Sequence, residues 1–212
     1  NIISFKAMVK ALAARNGLYA SFLPKPLFDE CGSGFHMNLS VSKDGKDMSY
    51  YRENVIAGIL KHIREITVFL NPIVNSYERL GGYQAPSNLT YGTGNRNLLI
   101  RIPMGKGEDS NRIELRSPDN ASNPYIAATL LARAAIEGIE QNLKYDDSLA
   151  GETLPQSLIE AVEAAESSDF INSVLPEHLV KCFLKAKRQD WIAATQSNNP
   201  RVAAREMEFY LT

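Results

Sequence analysis

The sequence predicts an α+β fold, in which a largely antiparallel sheet with packed helices is followed by an all-helical C-terminal tail. Polar and apolar residues alternate over 35–42, 98–102 and 112–116, which indicates strands because successive strand side chains face opposite ways. Apolar residues recur at helical spacing over 55–70, which indicates a long and largely buried helix. Prolines at the starts of later helical patterns indicate the tail.

The remaining elements follow from local signals. The sequence predicts a helix over 4–16 and a short strand over 19–22 that ends before a proline. Residues 75–95 are polar and rich in glycine, and they predict a long loop with the character of a functional lid. An Asn N-cap and a Pro at the first helical position open a helix over 123–142, with Gly138 as a weak interior point.

We expect one domain in two parts. Residues 1–142 contain the predicted sheet, and residues 143–212 form a helical tail in which Pro155, Pro176 and Pro200 each open a helix. A chain of 212 residues is long enough for one sizeable core.

The composition of the chain indicates which classes of binding partner and which cellular compartment to expect. The formal net charge of −1 gives no basic footprint for nucleic acid or an anionic membrane, so small-molecule partners are favoured. The only cysteines, Cys31 and Cys182, are too few for a disulfide framework and lack metal or redox spacing. No apolar run approaches the ~20 residues that span a bilayer. We therefore expect a cytoplasmic protein.

One face of the strand over 35–42 carries ligand-capable side chains. His36, Asn38, Ser40 and Ser42 share this face, opposite the apolar residues. A half-solvated strand with no ligand has the same pattern and is the more common case for a single histidine. The pattern therefore needs a second group nearby to indicate a site.

The strand over 112–116 supplies such a group. Arg112, Glu114 and Arg116 share one face, and Arg101 joins them if the two predicted strands pair. Guanidinium groups match carboxylate and phosphate, so the arrangement is typical of an anion site with a carboxylate metal ligand at its centre. An exposed ladder of paired charges fits the same pattern slightly better on periodicity alone.

Five motifs in this order resemble those of the glutamine synthetase family: GSGFHMNLS, NPIVNSYERL, NRNLLIRIP, NRIELRSPD and ASNPYIAA. The resemblance extends over about residues 1–142. It implies an ATP-dependent glutamate–ammonia ligase that forms glutamine through γ-glutamyl phosphate, with Mg²⁺ or Mn²⁺, as part of a homo-oligomer. Glutamate, ATP and an amine, ammonia first, are the implied partners.

The resemblance also implies roles for individual residues. It assigns metal binding to His36 and Glu114, and catalysis to Arg101 and Gln84. The substrate-binding positions are Gly32, Arg79 and Arg116. The ATP-binding positions are Asn38, Ser40, Arg96, Arg101 and Arg112, with Lys106 as a further nucleotide-side residue. From these assignments we expect His36 and Glu114 to lie side by side with Arg116 flanking them.

Three residues depart from the family pattern. Asn38 stands where the family has a second histidine, and Cys31 stands where it has an asparagine. Gln84 replaces the flap glutamate that closes the family's site and deprotonates ammonium, and an amide cannot act as that base. These departures leave two alternatives open, a γ-glutamyl ligase for another amine and a non-catalytic homologue with an oligomeric or regulatory role. Because the family's other metal ligands and its small β-domain precede these motifs, we expect the chain alone to be inactive.

Overall fold

The computed structural model describes residues 1–105, 111–149 and 151–197. It confirms the α+β prediction, since a small, mostly antiparallel sheet packs against a larger set of helices. In the described part of the chain, no helix is long and apolar enough to cross a membrane.

The main sheet has four strands in the order β1-β6-β5-β4. Its strands are β1 (Met37–Leu39), β4 (Tyr91–Thr93), β5 (Ile100–Ile102) and β6 (Ile113–Leu115). The inner strand β6 is antiparallel to both β1 and β5, and its pairing with β5 confirms the predicted antiparallel pairing of 98–102 with 112–116. The edge strand β4 is parallel to β5, which the sequence did not predict.

A separate hairpin joins β2 (Ser42–Lys43) to β3 (Lys46–Asp47). Its two turn residues are Asp44 at φ 52° and Gly45 at φ 73°. Two consecutive left-handed residues are the signature of a type I′ turn, for which Asp-Gly is a preferred sequence.

Two long helices cross behind the sheet. They are α2 (Arg52–Leu70) and α4 (Pro124–Glu140), and both match their predictions. At the crossing, a Cβ built on Gly138 would lie 2.1 Å from the carbonyl oxygen of Asn54, and one on Gly58 would be equally crowded. The glycine that weakens α4 as an isolated helix is therefore what lets the two helices approach.

The tail packs on the same core. Its helices are α5 (Leu158–Glu166), α6 (Asp169–Val174) and α7 (Glu177–Thr195), after a 3₁₀ turn over Asp147–Leu149. Apolar side chains of these helices join those of α2, α4 and β6 in one hydrophobic cluster. The helix predicted after Pro200 lies outside the described residues.

Two predictions need correction. The described residues 19–22 form no strand, because no neighbouring strand lies beside them to complete a ladder. The predicted loop over 75–95 contains β4 and most of a short helix, α3 (Val74–Arg79). Six helical residues are too few to show a 3.6-residue period, so α3 could not be recognised. The first helix, α1 (Ile2–Arg15), forms as predicted, but none of its residues is buried in the described structure.

Candidate active site

The centre of the candidate site is the pair formed by His36 and Glu114. The register of β1 and β6 places Asn38 opposite Glu114, so His36 lies just before the paired segment on the same side. His36 Nδ1 is 2.9 Å from Glu114 Oε1. The expectation that these two side chains lie side by side is confirmed.

Two arginines hold the Glu114 carboxylate. Arg116 Nη1 donates to Oε1 at 2.8 Å, and Arg101 Nη1 donates to Oε2. Glu114 is 7% exposed and Arg116 is 4% exposed. The face is therefore a buried charge cluster, and the alternative of a solvated charge ladder is wrong at these residues.

One hydrogen-bond donor in this cluster is unsatisfied among the described residues. Arg101 Nε is buried and has no hydrogen-bond partner among the described residues. A buried guanidinium nitrogen without a partner is costly in the free protein and suits an anionic ligand.

Burial lowers the pKa of His36 below its ordinary value, and the charges of Arg116 and Arg79 add to this against the opposing effect of Glu114. The imidazole is therefore neutral at pH 7. Since Nδ1 faces the carboxylate at 2.9 Å, the proton is assigned to Nδ1 in the free chain, and it must move to Nε2 before Nδ1 can bind a metal beside Glu114.

Arg116 also connects the cluster to two loops. Its Nε donates to the carbonyl oxygen of Arg96 at 3.1 Å, and its Nη2 donates to the carbonyl oxygen of Gln84 at 3.2 Å. Arg96 and Gln84 are themselves exposed, so each touches the cluster through its backbone.

Behind the cluster, Arg79 is 4% exposed. Its Nη1 and Nη2 donate to the carbonyl oxygens of Ser117 and Arg116, at 2.7 and 3.0 Å. In this arrangement Arg79 supports the backbone of the cluster, and its role in binding glutamate stays a prediction. A Cβ on Gly32 would lie 2.8 Å from Arg79 Cγ, so packing on Arg79 already requires this glycine.

A second carboxylate, Asp119, is fully buried beneath Arg79. Asn71 Nδ2 and the backbone nitrogen of Ala121 donate to it, both at 2.9 Å. Burial nevertheless raises the pKa of Asp119 above its ordinary value, because it outweighs these hydrogen bonds and that from Ser76. Asp119 ties the end of α2 to α3 and to the chain after β6.

The residues predicted to contact ATP lie at the outer end of the same face. Arg112 Nε donates to Asn38 Oδ1 at 3.0 Å, which links β6 to β1. Ser40 is exposed just beyond β1. Lys106 lies outside the described residues. The structure brings Asn38 and Arg112 together, and their nucleotide role stays a prediction.

The ligand atoms present decide whether this face could hold a divalent ion. Two ligands about 2.1 Å from one Mg²⁺ or Mn²⁺ lie within about 4.3 Å of each other, so His36 and Glu114 fit as two ligands of one ion. Such ions take about six ligands. Within the residues that the structure describes, no three His, Cys, Asp or Glu side chains converge on one point. The pair therefore fits an ion but does not hold one by itself.

Sequence reasoning missed two buried charged residues near the site, Asp119 and Lys25. Asp119 is the fourth residue after β6, and a carboxylate at a strand exit could have been noted. Lys25 stands between Pro24 and Pro26, which fix an extended backbone, but nothing in that pattern indicates burial.

One histidine, one carboxylate and several guanidinium groups meet on this buried face, and this donor set suits an anionic ligand. A family model described as "Glutamine synthetase, catalytic domain" matches residues 1–210. Glutamine synthetases from Methanosarcina mazei and Thermus thermophilus are 41% and 38% identical to this chain, and each alignment covers 90% of it and 48% of the relative. A solved structure described as "Apo GmaS without ligand" has a TM-score of 0.76 and 31% identity, over 91% of this chain and 49% of that one.

The chain therefore belongs to the glutamine synthetase catalytic-domain family. It spans about half the length of the curated relatives that it matches.

Proposed function

We propose that this chain is part of the catalytic domain of an ATP-dependent carbon–nitrogen ligase, which joins ammonia to the γ-carboxylate of glutamate through γ-glutamyl phosphate. The observation that carries the proposal is the buried cluster of Arg101 and Arg116 around Glu114, with His36 beside it. Such a reaction brings an anionic triphosphate and an anionic carboxylate together, and the two repel each other. Fixed positive charge in a site shielded from water lowers this electrostatic repulsion.

Each residue has a proposed task. Arg101, whose Nε is unsatisfied among the described residues, would take the transferring phosphoryl group, and Arg116 would hold glutamate or its phosphorylated form. His36 and Glu114 would hold Mg²⁺ or Mn²⁺, which when bound supplies charge neutralisation for ATP. Two further sets keep the roles that the family resemblance implies. The nucleotide side comprises Asn38, Ser40, Arg96 and Arg112, and the glutamate side comprises Gly32 and Arg79.

The chain spans about half of its relatives, and the cluster holds two of the ligands that an ion needs. We propose that a homo-oligomer of the longer protein completes the site and that the chain alone does not turn over. A cytoplasmic location stays a prediction.

A second candidate, a γ-glutamyl ligase for another amine, is favoured by Gln84. A neutral amide neither attracts ammonium nor accepts its proton, so the ammonia-specific part of the family site is absent at this position. The alternative of a non-catalytic homologue rests on Cys31, Asn38 and Gln84 together.

The test uses a protein of the relatives' full length that contains this chain. Phosphate release from ATP is measured with glutamate, Mg²⁺ and either ammonium or a series of alkylamines. The first candidate predicts ammonium as the best amine and a higher ammonium-dependent rate in Gln84→Glu. A preference of tenfold or more for an alkylamine favours the second candidate. No phosphate release with any amine, from a folded protein, contradicts both.

A further inference from the structure

The loop of residues 81–85, the flap, is closed by hydrogen bonds within its own backbone. Gly81 N donates to the carbonyl oxygen of Ala85 at 2.7 Å, and Ala85 N donates to that of Gly82 at 2.8 Å. Tyr83 and Gln84 are both left-handed, with φ of 35° and 63°. A bulky residue such as tyrosine adopts such a conformation at an energetic cost, which contacts around the loop must offset.

Two cations contact neighbouring residues of the flap. Arg116 Nη2 donates to the carbonyl oxygen of Gln84 at 3.2 Å. Lys25 Nζ lies 4.5 Å from the centre of the Tyr83 ring, within the range of a cation–π contact. The flap is therefore held at two adjacent positions by two different elements.

Lys25 is fixed by its surroundings. It is 7% exposed, and its ammonium also donates to the carbonyl oxygen of Glu30. Its backbone nitrogen donates to Asn75 Oδ1 at 2.7 Å, and Asn75 Nδ2 donates back to its carbonyl oxygen at 2.9 Å. An immobilised cation under an aromatic ring loses little further side-chain entropy in that contact.

The Lys25 contact lies apart from the charged cluster. Lys25 and Tyr83 line a cavity of about 510 Å³ with Tyr77 and Trp191, and its described lining includes neither Arg116 nor Glu114. A ligand that drew the Arg116 guanidinium away from Gln84 would therefore displace neither partner of the Lys25–Tyr83 contact directly.

We propose that Lys25 is a positioning residue that anchors the flap through Tyr83 while Arg116 exchanges the Gln84 carbonyl for an anionic substrate. Only the exchange at Arg116 rests on the proposed function. The anchor itself is a property of the free chain and is tested without substrate.

The experiment measures hydrogen exchange at the Gly81 and Ala85 amides, whose hydrogen bonds close the flap, in this chain by NMR. Lys25→Met removes the cation at similar length and should speed exchange at both amides by about 5- to 30-fold, the factor that corresponds to a partly buried cation–π contact. Lys25→Arg keeps a cation over the ring and should restore the wild-type rates. Lys181→Met removes an exposed lysine that pairs with Glu177 on α7 and should change neither rate.

A spectroscopic signature accompanies the exchange data. The Tyr83 ring should shift the Lys25 ε-methylene protons upfield, and Tyr83→Leu should abolish this shift and speed exchange as Lys25→Met does. Tyr83 is 60% exposed, so its replacement leaves the core intact if Lys25→Met fails to fold. Wild-type exchange rates in folded Lys25→Met or in Tyr83→Leu, or no rescue by arginine, would overturn the proposal.

Discussion

The two sides of β6 are equally hidden from solvent but are held by different forces. Ile113 and Leu115 are 1% and 0% exposed and pack on the helical layer, while Glu114 and Arg116 are 7% and 4% exposed on the other side. Burial therefore does not separate core from site in this chain. The difference lies in the partners, which are apolar groups on one side and paired charges on the other.

The two regions should respond differently to substitution. The helical layer depends on shape, because α2 and α4 meet backbone to backbone at Gly58 and Gly138. The charged face depends on the pairing of opposite charges. Removing one charge leaves its partner buried in a low dielectric without a counterion.

The largest effect is expected at the helix crossing. Gly138→Ala would place a Cβ 2.1 Å from the carbonyl oxygen of Asn54, a rigid backbone atom, so α2 and α4 must separate. We expect a loss of about 4 kcal/mol or more in the free energy of unfolding, measured by urea denaturation. The control is Gly82→Ala, where the nearest atom is 4.0 Å away and the change should stay within about 0.5 kcal/mol. Equal effects of the two variants would show that the crossing is not close-packed.

On the charged face, Glu114→Gln should cost about 3 kcal/mol, because Arg116 keeps its buried charge without a counterion. The matched control is Glu166→Gln, which breaks the exposed ion pair with Arg188 and should cost less than about 1 kcal/mol. Urea denaturation of both variants measures the contrast. Similar losses would contradict the view that the cluster is held by balanced buried charge.

A smaller effect is expected where α4 begins. Asn123 Oδ1 accepts hydrogen bonds from the backbone nitrogens of Tyr125 and Ile126, at 3.0 and 3.4 Å. Asn123→Ala should lower the free energy of unfolding by about 1 kcal/mol. Asn1 occupies the same cap position of α1 without a side-chain hydrogen bond, so thermal denaturation of Asn1→Ala should match the wild type. A wild-type midpoint for Asn123→Ala would refute the cap.

The smallest effect is expected on the pH dependence of stability, at charged residues inside the helical layer. His62 lies 3.1 Å from both Glu65 Oε1 and Glu137 Oε1. Burial raises the pKa of Glu65, but hydrogen bonds from His62 and Ser168 outweigh it and hold that pKa below its ordinary value. A depressed folded pKa stabilises the protein above the unfolded value of about 4.5, and this contribution disappears as the pH falls through the folded value.

Glu65→Gln should therefore flatten the acid limb of the stability curve below about pH 4.5, by less than about 1 kcal/mol because the group is half-buried. Unfolding by urea at pH 3 and pH 6 measures the difference. A wild-type pH dependence in the variant would contradict this account of Glu65.

Local periodicity was enough to predict which charged side chains share a face of β6, although an exposed charge ladder fitted that pattern slightly better until the family resemblance was added. Because strand side chains alternate, Glu114 and Arg116 had to share a face, and the pairing of β5 with β6 then brought Arg101 to Glu114. The side-by-side placement of His36 followed from the family resemblance together with the same alternation.

Other features left no local signal. β4 has three residues with a glycine in the middle, so neither its existence nor its parallel pairing could be predicted. The burial of Lys25 and Arg79 depends on how the loop before β1 wraps around α3, which no spacing encodes. In the sequence, Gly138 is expected only to weaken α4. In the structure it is required for close packing, because the backbone that it contacts belongs to α2.

The central claim of the proposed function is that His36 and Glu114 supply two ligands of a divalent-ion site, and the three histidines of the chain allow a direct test. Mn²⁺ is added in substoichiometric amounts while the imidazole resonances are observed by NMR. His62 is enclosed between two glutamates and His178 is exposed beside Cys182, so both serve as internal controls. The account predicts selective broadening of His36 that Glu114→Gln removes. Broadening of His178 or His62 with His36 unaffected would contradict it.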